Sequence, residues 1–347
     1  MTLGTSLLIW VIHSVLLAVI LLTGFAYTTL LERKVLARIQ SRIGPNRAGP
    51  FGIFQPLADG VKLIFKEELT PGGADRLTFL IAPIMAAVPA VVVFAVIPLG
   101  GTANFFGTPI ELTLAPHLNV GILYVLAITS ISVYGIVLAG WASNNKYSMM
   151  GGLRSSAQMI SYELAMGLSI VALVLVAGTL DMNSIVDQQK QVWFVFLQPV
   201  AALVFMISAL AEVNRSPFDL PEAEQELTAG YVTEYSGMKF ALFFMAEYIK
   251  MAVIGGLAAT FFFGGYREPL PLFIVKAMPL LSVDNTPWLG PIYFSMKVIF
   301  FLFIQIWVRA TLPRFRYDKL MKFGWKFLLP VSLVWVMVTA FVILIRG

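Results

Sequence analysis

Residues 5–47 read TSLLIWVIHSVLLAVILLTGFAYTTLLERKVLARIQSRIGPNR. Thr5 to Leu31 carry no charged side chain, whereas five cations follow between Arg33 and Arg47. A helix crosses the hydrocarbon core of a bilayer with about 20 apolar residues. The stretch 5–31 is therefore expected to span, and the basic arm after it to remain on the cytoplasmic side. No basic region precedes the first run, so a retained helix is expected rather than a signal peptide.

The rest of the chain repeats this alternation. Of its 347 residues 59% are hydrophobic and 12% charged, and the mean hydropathy is +0.84, outside the range of soluble globular domains. Further apolar runs cover about 78–98, 117–141, 159–180, 192–211, 239–263, 289–310 and 325–345. The expected fold is all-α: one polytopic membrane helical bundle over 1–347, with about eight transmembrane helices. Pro83, Pro89 and the pair Gln198-Pro199 are expected to interrupt or kink their spans.

Segments 32–77, 142–158, 212–239 and 309–326 hold 8, 2, 2 and 6 of the 24 Lys and Arg residues. The opposite side holds Lys190, Arg267, Lys276 and Arg346, while Lys250 and Lys297 fall inside spans. The excess marks the cytoplasmic face and places both termini outside. Within the 32–77 arm, Phe54, Leu57, Ala58, Val61, Ile64 and Phe65 recur at helical spacing, with Gln55, Asp59, Lys62 and Lys66 between them. Such a pattern predicts an amphipathic helix over 54–66 lying at the interface.

The chain has no cysteine and two histidines, so it supplies no thiolates for an iron–sulfur cluster or zinc site. His13 and His117 lie at different depths, which argues against a haem pair. The acids are more telling. Six of the 19 lie between Glu212 and Glu234, in the loop 212–239 that joins two spans. Glu32 closes the first span, Glu163 is expected a turn or two inside the fourth, and Glu247 about 12 Å into the sixth at ~1.5 Å per residue. Each has a bland reading. Asp219 and Glu222 fit a capping box with Pro221 in the first turn, Glu224 suits a solvated loop face, and Lys250 is spaced to neutralise Glu247. Packing alone does not require Glu163, Glu212 and Glu247 at similar depth, because intramembrane acids are costly. Together they suit proton transfer among carboxylates. The basic arm serves first as a topology determinant, and could also dock a soluble partner; nucleic acid is not expected.

Three segments carry a resemblance: ERKVLARIQSRIGPNRAGPFGIFQPLADGVKLIFKEE (32–68), AEVNRSPFDLPEAEQELTAGYVTEYSG (211–237) and FALFFMAEY (240–248). They closely resemble the H-subunit (chain 1) family of the proton-translocating NADH–quinone oxidoreductases, respiratory complex I. The resemblance implies a membrane subunit where the peripheral arm docks. It implies a quinone chamber involving Glu32, Arg33, Arg42, Asp59 and Lys62, with Phe244 close to it. It further implies a proton path through Glu163, Glu212, Glu222, Glu224, Glu226 and Glu247. On this reading quinone, expected to be ubiquinone, is the substrate. Flavin and iron–sulfur clusters reside in partner subunits, and the chain itself holds no cofactor or metal. The expected partners are other complex I subunits, quinone and the bilayer. The length and the basic C-terminal loop suggest a bacterial inner membrane in preference to a mitochondrial one. Two other readings fit intramembrane acids: the homologous subunit of a membrane-bound hydrogenase, and a secondary ion transporter, which should show pseudo-symmetric repeats.

Overall fold

The structure, a computed structural model, describes the backbone of residues 3–105, 108–115, 118–219, 228–269 and 282–346, and their side chains except 3–10, 13, 103–110 and 346. Hydrocarbon offers backbone groups no partners, so apolar runs of this length satisfy their amides internally as helices. Among the described residues, seven helical stretches are long and apolar enough to cross a membrane. They are α1 (Leu3–Ile39), α3 (Arg76–Val92), α4 (Gly121–Ala142), α5 (Lys146–Ala177), α9 (Gly237–Phe262), α10 (Leu289–Thr311) and the pair α11–α12 (Tyr317–Phe323 and Leu329–Arg346). After α6 (Met182–Gln188), the apolar stretch expected at 192–211 is composite and shorter. Helix α7 (Phe194–Leu197) breaks at Gln198, and α8 (Pro199–Glu212) continues. Pro199 opens α8 at the position where a missing amide costs least. The chain is an integral membrane protein built as an all-α bundle.

Several boundaries differ from those expected. Helix α1 runs through half of the basic arm to Ile39, because nothing in ERKVLARI breaks a helix. The turn-forming RIGPNRAGP ends it. Helix α5 begins at Lys146, not 159, capped by the Asn145 side chain accepting from the Tyr147 amide, and ends on Gly178 in the left-handed region. Glu163 is thus near the middle of a 32-residue helix, where a position a turn or two inside was expected. Pro83 and Pro89 do not break α3, which passes through both before a 3-10 turn at Val93–Ala95. The last crossing begins at Tyr317 and passes through a π-helical turn, Gly324–Leu328, packed on the Tyr162 ring. Helices α11 and α12 therefore extend a span expected to begin at 325.

Helix α2 (Gln55–Phe65) forms within the amphipathic segment and buries none of its residues. It carries Phe54, Leu57, Ile64 and Phe65 exposed beside it. A short antiparallel hairpin, β1 (Thr102–Phe105) with β2 (Thr108–Glu111), pairs Thr102 with Glu111 between α3 and α4.

Short connections alternate the crossings. The Asp75 amide donates to Ala142 O (3.2 Å), joining the start of α3 to the end of α4 at the basic end, and the Ile122 amide donates to Leu180 O (3.2 Å) at the far end. Small residues bring the helices close. A Cβ on Gly135 of α4 would sit 2.6 Å from the Ala86 amide of α3.

Candidate functional site

The site grows from the turn that ends α8. Glu212 is the last residue of that helix, where the helix dipole disfavours negative charge. Asn214 follows with φ 58°, a left-handed conformation that Asn tolerates. Gln158, fully buried on α5, fixes the turn: its Nε2 lies 2.8 Å from Ala211 O, 3.1 Å from Asn214 Oδ1 and 2.7 Å from Phe218 O. Asn214 in turn donates to Ser155 Oγ (3.2 Å). Gly151 of α5 lets the chain return beneath it, since a Cβ there would lie 2.7 Å from Gly230 Cα. The turn carries Arg215 back into the bundle rather than out to water.

Arg215 is only 6% exposed. Its Nη1 donates to Glu32 Oε1 at 3.1 Å, its Nε meets Glu247, and its guanidinium lies 4.3 Å from the Tyr248 ring centroid. Arg309 from α10 also pairs with Glu32. Burial opposes charge on Arg215, but Glu247, Tyr248 and Glu32 outweigh it and raise the guanidinium further above its usual range. Glu247, expected to be neutralised by Lys250, also meets Arg215, because the returning turn delivers a guanidinium to it. Glu32 Oε2 and Arg215 Nη2 find no hydrogen-bond partner among the described residues, so capacity remains for water or a ligand.

One helical turn beyond Glu247, Lys250 lies buried with Glu212, Glu247 and Glu163 as its electrostatic neighbours, in that order of strength. Ser130 of α4 donates its hydroxyl to Glu163. Two small cavities flank the group, each of about 20 Å³, about the room one water needs. Glu212 and Lys250 line both; Glu247, Asn214 and Tyr231 line the first, Thr129 and Met166 the second. Glu163, Glu212 and Glu247, predicted to act together, are therefore brought together from α5, α8 and α9. Helix α1 adds Glu32 through Arg215.

The residues expected near quinone occupy adjoining elements. Arg33, next to Glu32 on α1, pairs with Asp59 of α2 at 2.7 Å, and Gln55 donates to the same carboxylate (3.0 Å). Lys62 is exposed on α2. Phe244 stacks obliquely on Tyr248, centroids 4.8 Å apart, and so touches the ring beside Arg215. Arg42 stands apart on the exposed turn after α1, donating to Gln40 (2.7 Å). Glu222, Glu224 and Glu226 lie outside the described residues, as do Pro221 and the side chains of His13 and His117. Asp219 accepts from Arg314 (2.8 Å), and the residues it was expected to cap lie outside the described ones. Glu234 accepts from Asn145 (2.6 Å). Among the described residues no three His, Cys, Asp or Glu side chains are placed to share a metal ion.

A second polar group sits at the far end. Lys297 of α10, buried, donates to the carbonyls of Phe263, Gly265 and Arg267 at 2.7–2.8 Å. Arg267 donates to Asp187 (2.6 Å) and Asp284 (2.9 Å). Burial pushes the neighbouring Tyr266 phenol up to about 12. A cavity of about 280 Å³ lies here, lined by Asp187, Arg267, Asp284 and Glu111 among others.

The fold and site define a helical integral membrane protein with buried acids and cations from several helices gathered near its basic end. The comparisons with known proteins then give the family. A profile described as NADH dehydrogenase matches residues 12–340. The chain is 51% identical over 328 residues, 94% of each chain, to the first H subunit of the NADH-quinone oxidoreductase of Geobacter metallireducens. It is 51% identical over 337 residues, 96% of this chain and 97% of the relative, to the second such H subunit of Geobacter sulfurreducens. To the NADH-quinone oxidoreductase H subunit of Protochlamydia amoebophila it is 49% identical over 323 residues, 93% and 94% of the two chains. The chain belongs to the H-subunit family of the NADH–quinone oxidoreductases.

Proposed function

We propose that the chain is a membrane subunit of a proton-translocating NADH–quinone oxidoreductase. In this reading it forms part of the quinone-access chamber and an acidic path linking quinone reduction to proton pumping. The observation that carries the reading is the gathering of Glu163, Glu212 and Glu247 from three helices around buried Lys250, with water-sized cavities on either side. Packing does not require such a set, and carboxylates bridged by water suit proton exchange.

Flavin and iron–sulfur clusters belong to partner subunits and supply the electrons. The peripheral arm docks at the basic end, where α2 and the arm around Arg42 offer exposed surface. Arg33, Asp59 and Lys62 border the chamber, with Glu32 and Phe244 behind them and Arg42 at its outer edge. Glu222, Glu224 and Glu226, which lie outside the described residues, belong to the same path. The membrane is a bacterial inner membrane and both termini are periplasmic; a reporter fused after Gly347 should read the periplasmic side.

Quinone reduction takes up protons and changes the charge near Glu32, Arg215 and Glu247, and the buried carboxylates answer by redistributing theirs. Glutamine preserves size and hydrogen bonding but cannot titrate. In membranes matched for complex content, Glu212→Gln and Glu247→Gln should each lower quinone-linked turnover and pumping by about tenfold or more, toward the ~10²–10⁴-fold that a proton-transfer group contributes. NADH oxidation by a hydrophilic artificial acceptor should continue. Wild-type rate and pumping in both variants would make the carboxylates structural and end the proposal.

A further inference from the structure

The proton-path reading assigns no part to the one buried cation at the cluster that makes no hydrogen bond or ion pair among the described residues. Lys250 is 9% exposed, lines both water-sized cavities and lies within electrostatic reach of Glu212, Glu247 and Glu163. A charge count shows what it does. Around the cluster stand the acids Glu32, Glu163, Glu212 and Glu247 and the cations Arg215, Arg309 and Lys250. Four carboxylates against three cations leave one negative charge over, which a low-dielectric interior tolerates poorly. Arg215 and Arg309 are taken by Glu32 and Glu247, which leaves Lys250 as the cation beside Glu163 and Glu212.

We propose that Lys250 is a positioning residue of the proton path: its charge keeps one of Glu163 and Glu212 ionised, hence able to accept the proton that the other holds. The inference rests on the proton-path reading above. Without Lys250 the same four acids face two cations, a second proton is retained, and neither carboxylate is free to accept. Among the described residues the surrounding elements offer no substitute. Helix α3 has no titratable group after Arg76, and α10 contributes Arg309, bound to Glu32, and Lys297, bound to backbone carbonyls at the far end. From α4 come only hydroxyls at this level, Ser130 and Thr129. The turn after α8 contributes Arg215, and Tyr231 and Tyr248 are the nearby phenols.

Lys250→Gln, Lys250→Arg and Lys250→Gln/Glu163→Gln should be compared with wild type and Glu212→Gln in the assembled complex, reading quinone-linked turnover and proton translocation against pH. Lys250→Gln should run about tenfold slower at neutral pH and recover as pH rises, its acid limb displaced upward by about one unit. Arginine should keep the wild-type limb to within a few tenths of a unit. The double variant has three acids and two cations, so its one retained proton sits on Glu212 with no ionised partner, and it should be at least as slow as Lys250→Gln at neutral pH. A wild-type acid limb in Lys250→Gln overturns the inference. So does failure of both glutamine variants to assemble while Lys250→Arg assembles, since that marks a strut rather than a charge. If Glu212→Gln is slow yet Lys250→Gln keeps its profile, the path stands and only the role of Lys250 falls. If Glu212→Gln runs like wild type, the path itself is wrong.

Discussion

The two ends of the bundle each bury a lysine, and they handle it differently. At the far end Lys297 is saturated by three backbone carbonyls. The acids on Arg267 there, Asp187 and Asp284, are 51% and 65% exposed. Those carbonyls cannot take up protons and water screens those acids, so the far end behaves as a fastener holding the outer ends of α9 and α10 together. At the basic end the charged neighbours of Lys250 are carboxylates from three helices, beside cavities of one water each. The same residue type is a rivet where its partners are fixed and a control on proton sharing where its partners titrate.

The largest effect expected from breaking this contrast is at Arg215. Arg215→Met strips Glu32 and Glu247 of a shared partner inside the bundle. Removing one member of a buried ion pair costs roughly 3–5 kcal/mol, so the complex should assemble poorly, measured as subunit content in the membrane. Normal content with normal turnover would show that the cluster relaxes freely. Lys297→Met comes next. It leaves three carbonyls short of a donor, at about 1–3 kcal/mol for buried groups, and should lower thermal stability. Whatever complex survives should keep the wild-type pH profile, and a displaced profile would erase the distinction between the two ends.

How far the sequence could anticipate these ends follows from range. The crossings were legible because about 20 apolar residues suffice to define one, and α2 because its pattern is local. The meeting of Glu163, Glu212 and Glu247 was legible from their place along the spans. The start of α5 was not: SNNKYSMMGGLRSS (143–156) is polar and glycine-containing, and it becomes helix only by packing on α4, where Gly140 and Gly152 approach. The part of Arg215 was hidden too, since a cation just after a span reads as a topology signal. Only the Asn214 turn, held by Gln158 of another helix, sends it inward. Arg309 was hidden for the same reason, its partner Glu32 being 277 residues away.

Gln158→Leu sharpens this point with an intermediate effect. Losing a donor shared by Ala211 O and Phe218 O should cost about 1–3 kcal/mol and loosen the turn that aims Arg215, read as lower thermal stability together with reduced quinone-linked turnover. Stability loss without any change in turnover per complex would show that the turn holds Arg215 unaided. The smallest effect on stability is expected at the rim. Arg33 and Asp59 are 44% and 33% exposed, and such pairs contribute about 0.2–1 kcal/mol. Asp59→Ala should leave assembly intact while weakening quinone reduction relative to the artificial-acceptor rate. Equal loss of both rates would point to assembly instead.

The central claim is that the basic-end carboxylates change protonation when quinone is reduced. Difference infrared spectroscopy of the assembled complex, before and after quinone reduction, reads the carboxylic C=O stretch directly. The account predicts a carboxyl signal in wild type that is lost in Glu212→Gln and altered in Glu163→Gln, and that survives in Asp187→Asn at the far end. A signal unchanged by Glu212→Gln and Glu163→Gln, or abolished by Asp187→Asn, would contradict it.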